Sequence, residues 1–455
     1  MVNASDFIEA LDSIAPGLWR QLTNTELKNQ GYADYLLGWR IELGSSEIAA
    51  SDVNHLVILI DNRFPFSQIR VVAPQLGSNF IWPHVEEKGF LCLRPTLTTA
   101  NIEKRIEQHF KDAINVLSLT EEEVKKEFAR EFIAYWGQRS TKSQRELSIL
   151  SLVCPSYQGK ELFYFYILSM KAYVVSESKE KLGCWLKNLN VSFEYEKLNQ
   201  TILYELEEPW LPKDFPENAS VFVDEIDLKL LRQAVNTKTK TPILIRTKTS
   251  TGTVFAAILI NTPEKKKLQK GFSRGLDSVP DCRYKNLFKA SKVERLMVER
   301  VDAAWVHGRG HSLELPQLLE RKVLLVGCGS LGSKIAKVLS EAGVGEQLFI
   351  DGDIFKSHNS SRHLLGVNSI NQAKSIKLAQ NLAKAYPHLG FNTAATIDFE
   401  HLTQEQLKSL EDIDMIVTAG IDYEGEQAVE AWRKSLEQPP MLVSSWVEPY
   451  ALAGH

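Results

Sequence analysis

The hydrophobic positions of this chain follow three successive patterns. In the first, Phe7, Leu11 and Trp19 form a helical stripe, and apolar runs beginning at Tyr35, His55 and Phe66 then predict three strands. A strongly helical run ends near residue 136. The polar stretch GQRSTKSQRE, which begins at Gly137, breaks the pattern and predicts a linker.

In the second pattern, from about residue 147 to 280, strand-like runs alternate with loops: ELFYFYILSM, AYVVSES, SVFVDEI and PILIRTKTSTGTVFAAILI. The last run predicts a hairpin around Ser250, Thr251 and Gly252. No chemical motif is evident here, and the lysine run 265–267 predicts a solvated loop. From about Asn286 the period becomes helical. We therefore predict three domains, at residues 1–138, 139–300 and 301–455.

Composition narrows the class of protein. The chain has 455 residues, 44% hydrophobic and 24% charged, which is ordinary for a globular protein. A net charge of -4 gives no indication of a nucleic-acid or membrane partner. Five cysteines lie far apart without a C-x-x-C pair, which argues against a disulfide framework or a zinc site. With no signal peptide and no apolar run of roughly 20 residues, we expect a cytoplasmic protein.

A glycine loop opens the third pattern. The apolar strand KVLLVG leads into Gly327, Gly329 and Gly332, arranged as G-x-G-x-x-G, and then into a helix. Such a turn lets a phosphate approach the backbone at the helix N-terminus, and Asp351, at the end of the next strand, is placed to bind ribose. A nicotinamide-dependent dehydrogenase would show the same features, so this loop alone leaves both classes open.

The residues that follow favour adenylation. They are Asp353, Asn359 and Arg362 in an N-x-x-R arrangement, Lys374, and Asp422 after the strand MIVTAG. Cations beside acids suit a triphosphate whose pyrophosphate departs. From about residue 322 to 448 the pattern resembles the adenylation domain of the ubiquitin-activating and ThiF/MoeB family. That resemblance implies a Rossmann-like fold that binds ATP and magnesium.

The resemblance also implies individual roles. Gly329 and Asp351 would contact the adenosine, Asn359, Arg362 and Lys374 the phosphates, and Asp422 the magnesium. The family is dimeric or pseudo-dimeric and takes an arginine from its partner; Arg300 and Arg309 are both candidates. Cys328, inside the glycine loop, is expected to be a small loop residue. The family's own catalytic cysteine follows the ATP-site strands, so we expect it beyond His455 and expect this domain to be truncated.

The first 138 residues resemble the core of a ubiquitin-conjugating enzyme. Phe64, Pro65 and Phe66 match its Y-P-F-like turn, Trp82, Pro83 and His84 occupy its H-P-N position, and Gly89 precedes Cys92 as in its G-x-x-C segment. The resemblance implies that Cys92 carries an acyl group as a thioester. His84 stands where the family has an oxyanion-stabilising asparagine, and either a catalytic or a purely structural role is open to it. The alternative for Cys92 is a buried small apolar residue.

The whole pattern is similar to bacterial fusions of a conjugating-like domain, a mixed α/β linking domain and an activating-like domain. The fold class that this resemblance implies is a multidomain protein of the α/β and α+β classes. Such fusions resemble the ubiquitin-transferase-like proteins of CBASS antiphage operons. The resemblance implies transfer of a partner's C-terminal carboxylate, that of a cGAS-like nucleotidyltransferase, to an acceptor amine by a homodimer. A ubiquitin-like or sulfur-carrier protein is the alternative cargo. A nicotinamide-dependent oxidoreductase and a non-catalytic scaffold are the rival classes.

Overall fold

The computed structural model describes residues 7–44, 48–77, 81–97, 100–138, 147–237, 239–272, 276–308, 315–448 and 452–454. The chain divides into two compact units. One comprises residues 1–140, 205–217 and 246–255, and the other 141–204, 218–245 and 256–455. The boundaries of the three predicted domains stay a prediction. Among the described residues no helix has the length and apolarity needed to cross a bilayer.

The N-terminal region is a four-stranded antiparallel meander with helices beside it. Its elements are α1 (Ile8–Ile14), β1 (Trp19–Gln21), α2 (Asn24–Asn29), β2 (Leu37–Glu42), β3 (His55–Ile60), β4 (Arg70–Val72), α3 (Ile102–Leu117), α4 (Glu121–Arg130) and α5 (Phe132–Gln138). Alternate residues of β2 and β3, among them Trp39 and Ile58, enter one core with Phe7 of the chain start and Ile106 of α3. The three predicted strands and the closing helical run are confirmed.

The middle region is built on an eight-stranded mixed sheet of order β11-β10-β9-β8-β6-β7-β5-β12. Its elements are β5 (Ser148–Ser151), β6 (Glu161–Ile167), β7 (Ala172–Ser176), α6 (Lys179–Asn188), β8 (Asn199–Leu206), α7 (Ser220–Val223), α8 (Leu228–Thr237), β9 (Thr241–Thr249), β10 (Gly252–Ile260), α9 (Lys265–Gln269), α10 (Asp281–Lys289), β11 (Val293–Leu296), β12 (Val298–Arg300), α11 (Ala303–Gly308) and α12 (Leu315–Leu319). The predicted hairpin is the pair β9 and β10.

The C-terminal region is a six-stranded sheet of order β15-β14-β13-β16-β17-β18. Its elements are β13 (Lys322–Val326), α13 (Ser330–Ala342), β14 (Glu346–Ile350), α14 (Lys374–Ala385), β15 (Gly390–Ala395), α15 (Gln404–Lys408), β16 (Met415–Ala419), α16 (Tyr423–Ser435), β17 (Met441–Glu448) and β18 (Leu452–Gly454). The first five strands are parallel. Leu325 and Leu324 enter separate cores on opposite faces, so helices cover both sides. The predicted Rossmann-like fold is confirmed.

Four local predictions need correction. Trp19 lies in β1, not in the first helix, because Pro16 and Gly17, whose φ is +71°, end that helix. The run from Ser220 is the short helix α7, which buries Phe222 and Val223. Residues 265–267 are exposed as predicted but are helical. The helix expected from Asn286 begins at Asp281, and two strands follow it.

Candidate functional site

The glycine loop lies where the carboxyl ends of the adjacent parallel strands β13, β14 and β16 meet. Gly327 has φ +91°, a conformation that side chains with a Cβ rarely adopt. A Cβ on Gly332 would lie 1.9 Å from the Gly327 carbonyl oxygen, so the third glycine lets α13 pack against the loop. A Cβ on Gly329 would have no atom within 4 Å. The second glycine therefore borders open space at the helix N-terminus, where a phosphate is favoured.

Asp351 follows β14 and ties the loop together. One carboxylate oxygen accepts a hydrogen bond from the Cys328 N–H at 2.6 Å, and the other accepts from the Asp353 N–H at 2.8 Å. Burial raises the pKa of Asp351, while these two hydrogen bonds act against that rise. Each oxygen keeps a second lone pair, so this carboxylate can still accept a ribose hydroxyl.

Lys374 is the first residue of α14 and is buried, with its ammonium 2.5 Å from an Asp353 carboxylate oxygen. The Lys374 N–H also donates to the Asp353 carbonyl oxygen at 3.1 Å. A buried ammonium needs such a partner. Because Asp353 is exposed, the cation is held near solvent at the mouth of the site.

Six of the predicted residues line one cavity of about 230 Å³: Gly327, Gly329, Asp351, Asp353, Lys374 and Asp422. Asp422 is exposed and caps α16, because one of its oxygens accepts from the Gly425 N–H at 2.8 Å. The other oxygen is available to a ligand. The cavity thus combines open space at the N-terminus of α13 with the Lys374 ammonium and, among the predicted residues, the carboxylates of Asp351, Asp353 and Asp422.

Asn359 and Arg362 lie outside the lining of that cavity. The Asn359 side-chain oxygen accepts from the Lys356 N–H at 2.9 Å, which stabilises a turn. Arg362 is exposed, and its carbonyl oxygen accepts from the Ser330 hydroxyl at 3.3 Å at the start of α13. The structure thus places the N-x-x-R turn beside the first turn of α13 and does not bring the two side chains into the cavity.

The sequence reasoning missed two carboxylates and a histidine at this site. Asp398 and Glu400, which follow β15, line the cavity; acids just after a strand were the available signal. His363 is buried, and its Nε2 lies 2.6 Å from the Cys328 carbonyl oxygen while its Nδ1 accepts from the Leu365 N–H. Burial lowers the pKa of His363, consistent with a neutral ring that supports the glycine loop.

Cys328 and the two candidate arginines are placed as follows. Cys328 is fully buried and burial raises the pKa of its thiol well above the ordinary value, as expected of a structural loop residue. The Arg300 guanidinium makes two bonds, of 2.8 and 2.9 Å, to the buried carboxylate of Asp302. Arg309 lies outside the described residues.

The donor set fits a nucleotide with a divalent ion. The second glycine leaves room at the amino end of α13, Lys374 supplies positive charge for a phosphate, and Asp351 has spare acceptor capacity for ribose. Carboxylate oxygens are the ligands that magnesium prefers, and Asp422 has one unused. Asp351, Lys374 and Asp422 are therefore the residues that would hold ATP and magnesium.

Cys92 lines a second cavity, of about 420 Å³, in the first compact unit. Its side chain is exposed, which removes the alternative of a buried apolar residue. Its N–H donates to the His84 carbonyl oxygen at 2.7 Å. Gly89 has φ +85°, which allows the turn before the thiol. A Cβ at this position would lie 2.2 Å from the Ala73 carbonyl oxygen, so the turn requires glycine. The thiol is thus presented on a fixed backbone.

The Phe64–Phe66 turn is fixed by a buried arginine. Arg105 of α3 donates to the Pro65 carbonyl oxygen at 2.8 Å and to the Ser67 carbonyl oxygen at 2.5 Å, and its guanidinium stacks 4.4 Å from the Phe64 ring. Phe66, in contrast, is 85% exposed. Burial lowers the pKa of Arg105. This arginine was not singled out from the sequence.

The His84 ring faces two carboxylates. Nε2 lies 3.1 Å from a Glu127 oxygen and Nδ1 lies 3.5 Å from a Glu131 oxygen, both from α4 and its end. The backbone of His84, with φ +58°, donates its N–H to the Tyr135 hydroxyl at 2.7 Å. His84 therefore joins the thiol segment to α4 and α5 through contacts on both its backbone and its ring.

The surroundings of the thiol are acidic. The pKa of Cys92 is raised, and burial is the largest cause. The carboxylates of Glu86 and Glu131 raise this pKa further, while the charge of Arg70 lowers it. Glu131, Tyr135 and Arg130 line the same cavity, as do Thr249 and Thr251 of the hairpin tip. None of these lining residues was assigned to the thiol site from the sequence, because they are distant from Cys92 along the chain.

We expect alkylation of Cys92 by iodoacetamide to be slow at pH 7 and to rise with pH through and above the ordinary cysteine range. A raised pKa leaves less thiolate, the reactive form. Glu131→Gln removes one of the charges that raise it and should increase the rate at pH 7.5 about threefold. Peptide mapping must follow Cys92 itself, since Cys184 and Cys282 are also exposed. Glu122→Gln, an exposed position on α4, is the control; an unchanged rate in Glu131→Gln would contradict the expectation.

Two families match the two regions that carry these cavities. The ThiF family matches residues 308–439 and the Prokaryotic E2 family B matches residues 17–144. The chain therefore fuses a conjugating-like region with a Rossmann-like adenylation domain of the ThiF type, as its sequence predicted.

Curated relatives match parts of the chain of different lengths. The chain is 38% identical over 103 residues to the ATP-dependent ubiquitin transferase-like protein Cap2 of Vibrio cholerae serotype O1, covering 22% of this chain and 18% of that one. It is 22% identical to the Cap2 of Escherichia coli (strain TW11681), over 81% of this chain and 68% of that relative. The chain thus spans less than a fifth of the first relative and about two thirds of the second.

One solved structure similar to the C-terminal region is the Escherichia coli tRNA N6-threonylcarbamoyladenosine dehydratase TcdA in complex with ATP. It is 18% identical, covers 31% of this chain and 56% of its own, and has a TM-score of 0.26. A likeness of this size is too slight to support an inference about function.

Proposed function

We propose that this chain activates the C-terminal carboxylate of a protein with ATP and carries the resulting acyl group on Cys92 before an amine accepts it. The observation that carries the proposal is that two cavities occur on one chain. One contains the exposed Cys92 thiol, and the other, at the glycine loop, is lined by side chains that fit ATP and magnesium. A nicotinamide-dependent dehydrogenase would leave the thiol cavity without a purpose.

The adenylation step would take place at the glycine loop. Asp351 accepts the ribose hydroxyls, the start of α13 faces the phosphates, and Lys374 neutralises phosphate charge. Asp422 would hold magnesium, which when bound stabilises charge on the phosphate oxygens. The cargo carboxylate attacks the α-phosphorus, the bond to the bridging oxygen breaks, and pyrophosphate leaves.

The transfer step would take place at Cys92. Its thiolate attacks the acyl carbonyl of the adenylate, or of a thioester formed from it, a carbon–sulfur bond forms, and AMP or the earlier thiolate departs with the electron pair. An acceptor amine then forms an amide and releases the thiolate. Glu86 and Glu131 favour an incoming ammonium over a second anion, which suits a lysine side chain as the acceptor.

The cargo we propose is the C-terminus of a cGAS-like nucleotidyltransferase in antiphage defence, on the strength of the fused architecture. A ubiquitin-like or sulfur-carrier protein is the alternative, because the same chemistry serves any accessible C-terminal carboxylate. We also propose a cytoplasmic homodimer, in keeping with the ThiF resemblance.

The test is to trap the acyl group. Cys92→Lys, expressed in full-length protein in its native host, should gain the mass of the cargo, because a lysine there forms a stable amide in place of the thioester. Peptide mapping would place the adduct at position 92 and identify the cargo by its C-terminal peptide. Cys282→Lys, at another exposed cysteine, is the matched control and should gain no mass. No adduct on Cys92→Lys, together with no reducible adduct on the unaltered protein, would favour the scaffold.

A further inference from the structure

The tip of the hairpin between β9 and β10 forms one wall of the Cys92 cavity. Thr249, Thr251 and Val254 line it together with residues of α5. Residues 246–255 belong to the same compact unit as Cys92, although more than 150 residues separate them along the chain. The sequence of this hairpin carries no chemical motif, so its place beside the thiol needs a physical explanation.

Hydrogen bonds of its own fix the shape of the hairpin tip. The Thr249 hydroxyl accepts from the Thr251 N–H at 3.2 Å and donates to the Gly252 carbonyl oxygen at 3.1 Å. The two threonine hydroxyls lie 2.8 Å apart. Below the tip, Arg246 binds the Glu205 carboxylate through two nitrogens. The wall is therefore preformed and does not have to be ordered when a ligand enters.

Packing of aromatic side chains also holds α5, which contributes to the lining of the cavity. Trp136 of α5 packs on Phe215, with ring centroids 5.0 Å apart, and stacks on Trp210 at 6.3 Å. Both partners come from residues 205–217, which lie in the same unit. α5 also presents Ile133 and Ala134 to the cavity. The hairpin tip and α5, each held by contacts of its own, thus both line the cavity that contains the thiol.

The chemistry of the lining selects what fits. The hairpin offers two hydroxyls and a valine, and α5 offers alkyl groups, which suit small uncharged residues. Glu86 and Glu131 repel carboxylates. Among the described residues that line the cavity, the one Lys or Arg side chain is Arg130, which is already paired with Glu127 and lies 3.4 Å from Glu131. At about 420 Å³ the cavity is in the range of ligand-sized pockets and can hold a few residues of extended peptide.

We propose that this hairpin tip is the specificity wall of the thioester site: it binds the last residues of the acyl chain on Cys92, which are small and not acidic. The inference rests on the proposed function of Cys92. Thr251 is exposed at the tip and lines the cavity. Its small size and its lack of charge determine which acyl chains the wall accepts.

The test uses synthetic peptide benzyl thioesters, which load Cys92 without adenylation. The Cys92 thiolate attacks the thioester carbonyl, the new carbon–sulfur bond forms, and benzyl thiolate leaves, so no other reactant is needed. The two probes are acetyl-Ala-Ala-Gly and acetyl-Glu-Glu-Gly benzyl thioesters. Intact mass with peptide mapping gives the rate of loading at Cys92, and each rate is divided by the iodoacetamide rate of the same variant.

We expect the unaltered chain to load the Ala-Ala-Gly probe about tenfold faster than the Glu-Glu-Gly probe. Thr251→Trp fills the cavity and should slow the Ala-Ala-Gly probe about tenfold. Thr251→Arg should speed the acidic probe about fivefold relative to the neutral one, a gain that misfolding cannot produce. Ser250→Ala, at an exposed position of the same hairpin tip that does not line the cavity, is the control and should match the unaltered chain.

Two outcomes separate the proposals. If the unaltered chain loads both probes equally and neither Thr251→Trp nor Thr251→Arg changes their ratio or rate, the hairpin is not a specificity wall, while the thioester role of Cys92 stands. If iodoacetamide modifies Cys92 but neither probe loads, both the thioester role and the hairpin inference fail.

Discussion

Cys92→Ala is expected to lower conjugation of the cargo by about a thousandfold or more, because the acyl group loses the sulfur that carries it. ATP–pyrophosphate exchange in the same full-length protein should keep its normal rate, because the adenylation residues lie in a different cavity. The measurement is cargo adduct by intact mass beside pyrophosphate exchange on one preparation.

Cys282→Ala is the matched control for this change, since Cys282 is also exposed. It should leave both activities unaltered. A Cys92→Ala protein that still conjugates its cargo would show that the conjugating-like fold acts in binding only, as the scaffold hypothesis predicts.

Asp422→Asn is expected to lower ATP–pyrophosphate exchange by a factor of about a hundred to a thousand. Asparagine caps a helix about as well as aspartate, so the bond to the Gly425 N–H and the stability of α16 should persist. Only the charge that would hold magnesium is removed. Asp422→Ala should lose exchange too, with a further stability cost of about 1 kcal/mol from the lost cap.

Exchange and thermal unfolding should be measured on the same samples. Glu424→Gln, two residues into α16 and exposed, controls for loss of a negative charge near the cavity and should retain exchange. NAD should bind none of these proteins. ATP–pyrophosphate exchange that survives in Asp422→Asn would contradict the proposal that this residue holds magnesium. Tight NAD binding would instead favour the oxidoreductase class.

The sequence by itself determined those local units whose geometry follows from a short pattern of neighbouring residues. The apolar run before Gly327, the three spaced glycines and the acid after the next strand allow one strand–turn–helix geometry, because a Cβ at Gly332 would clash with the loop. It also predicted the turn before Cys92, where Gly89 takes a left-handed backbone conformation, but it left the exposure of the thiol open. Trp19 was misplaced because helical periodicity says little about where a helix ends.

Only the tertiary structure decided which side chains meet. Asn359 and Arg362, three residues apart, match a phosphate motif, yet the turn they form lies beside α13 and outside the cavity lining. Glu131 and Thr251 reach the Cys92 cavity from elements far along the chain. No local period encodes such meetings, because they depend on how separate helices and strands bury their apolar faces together.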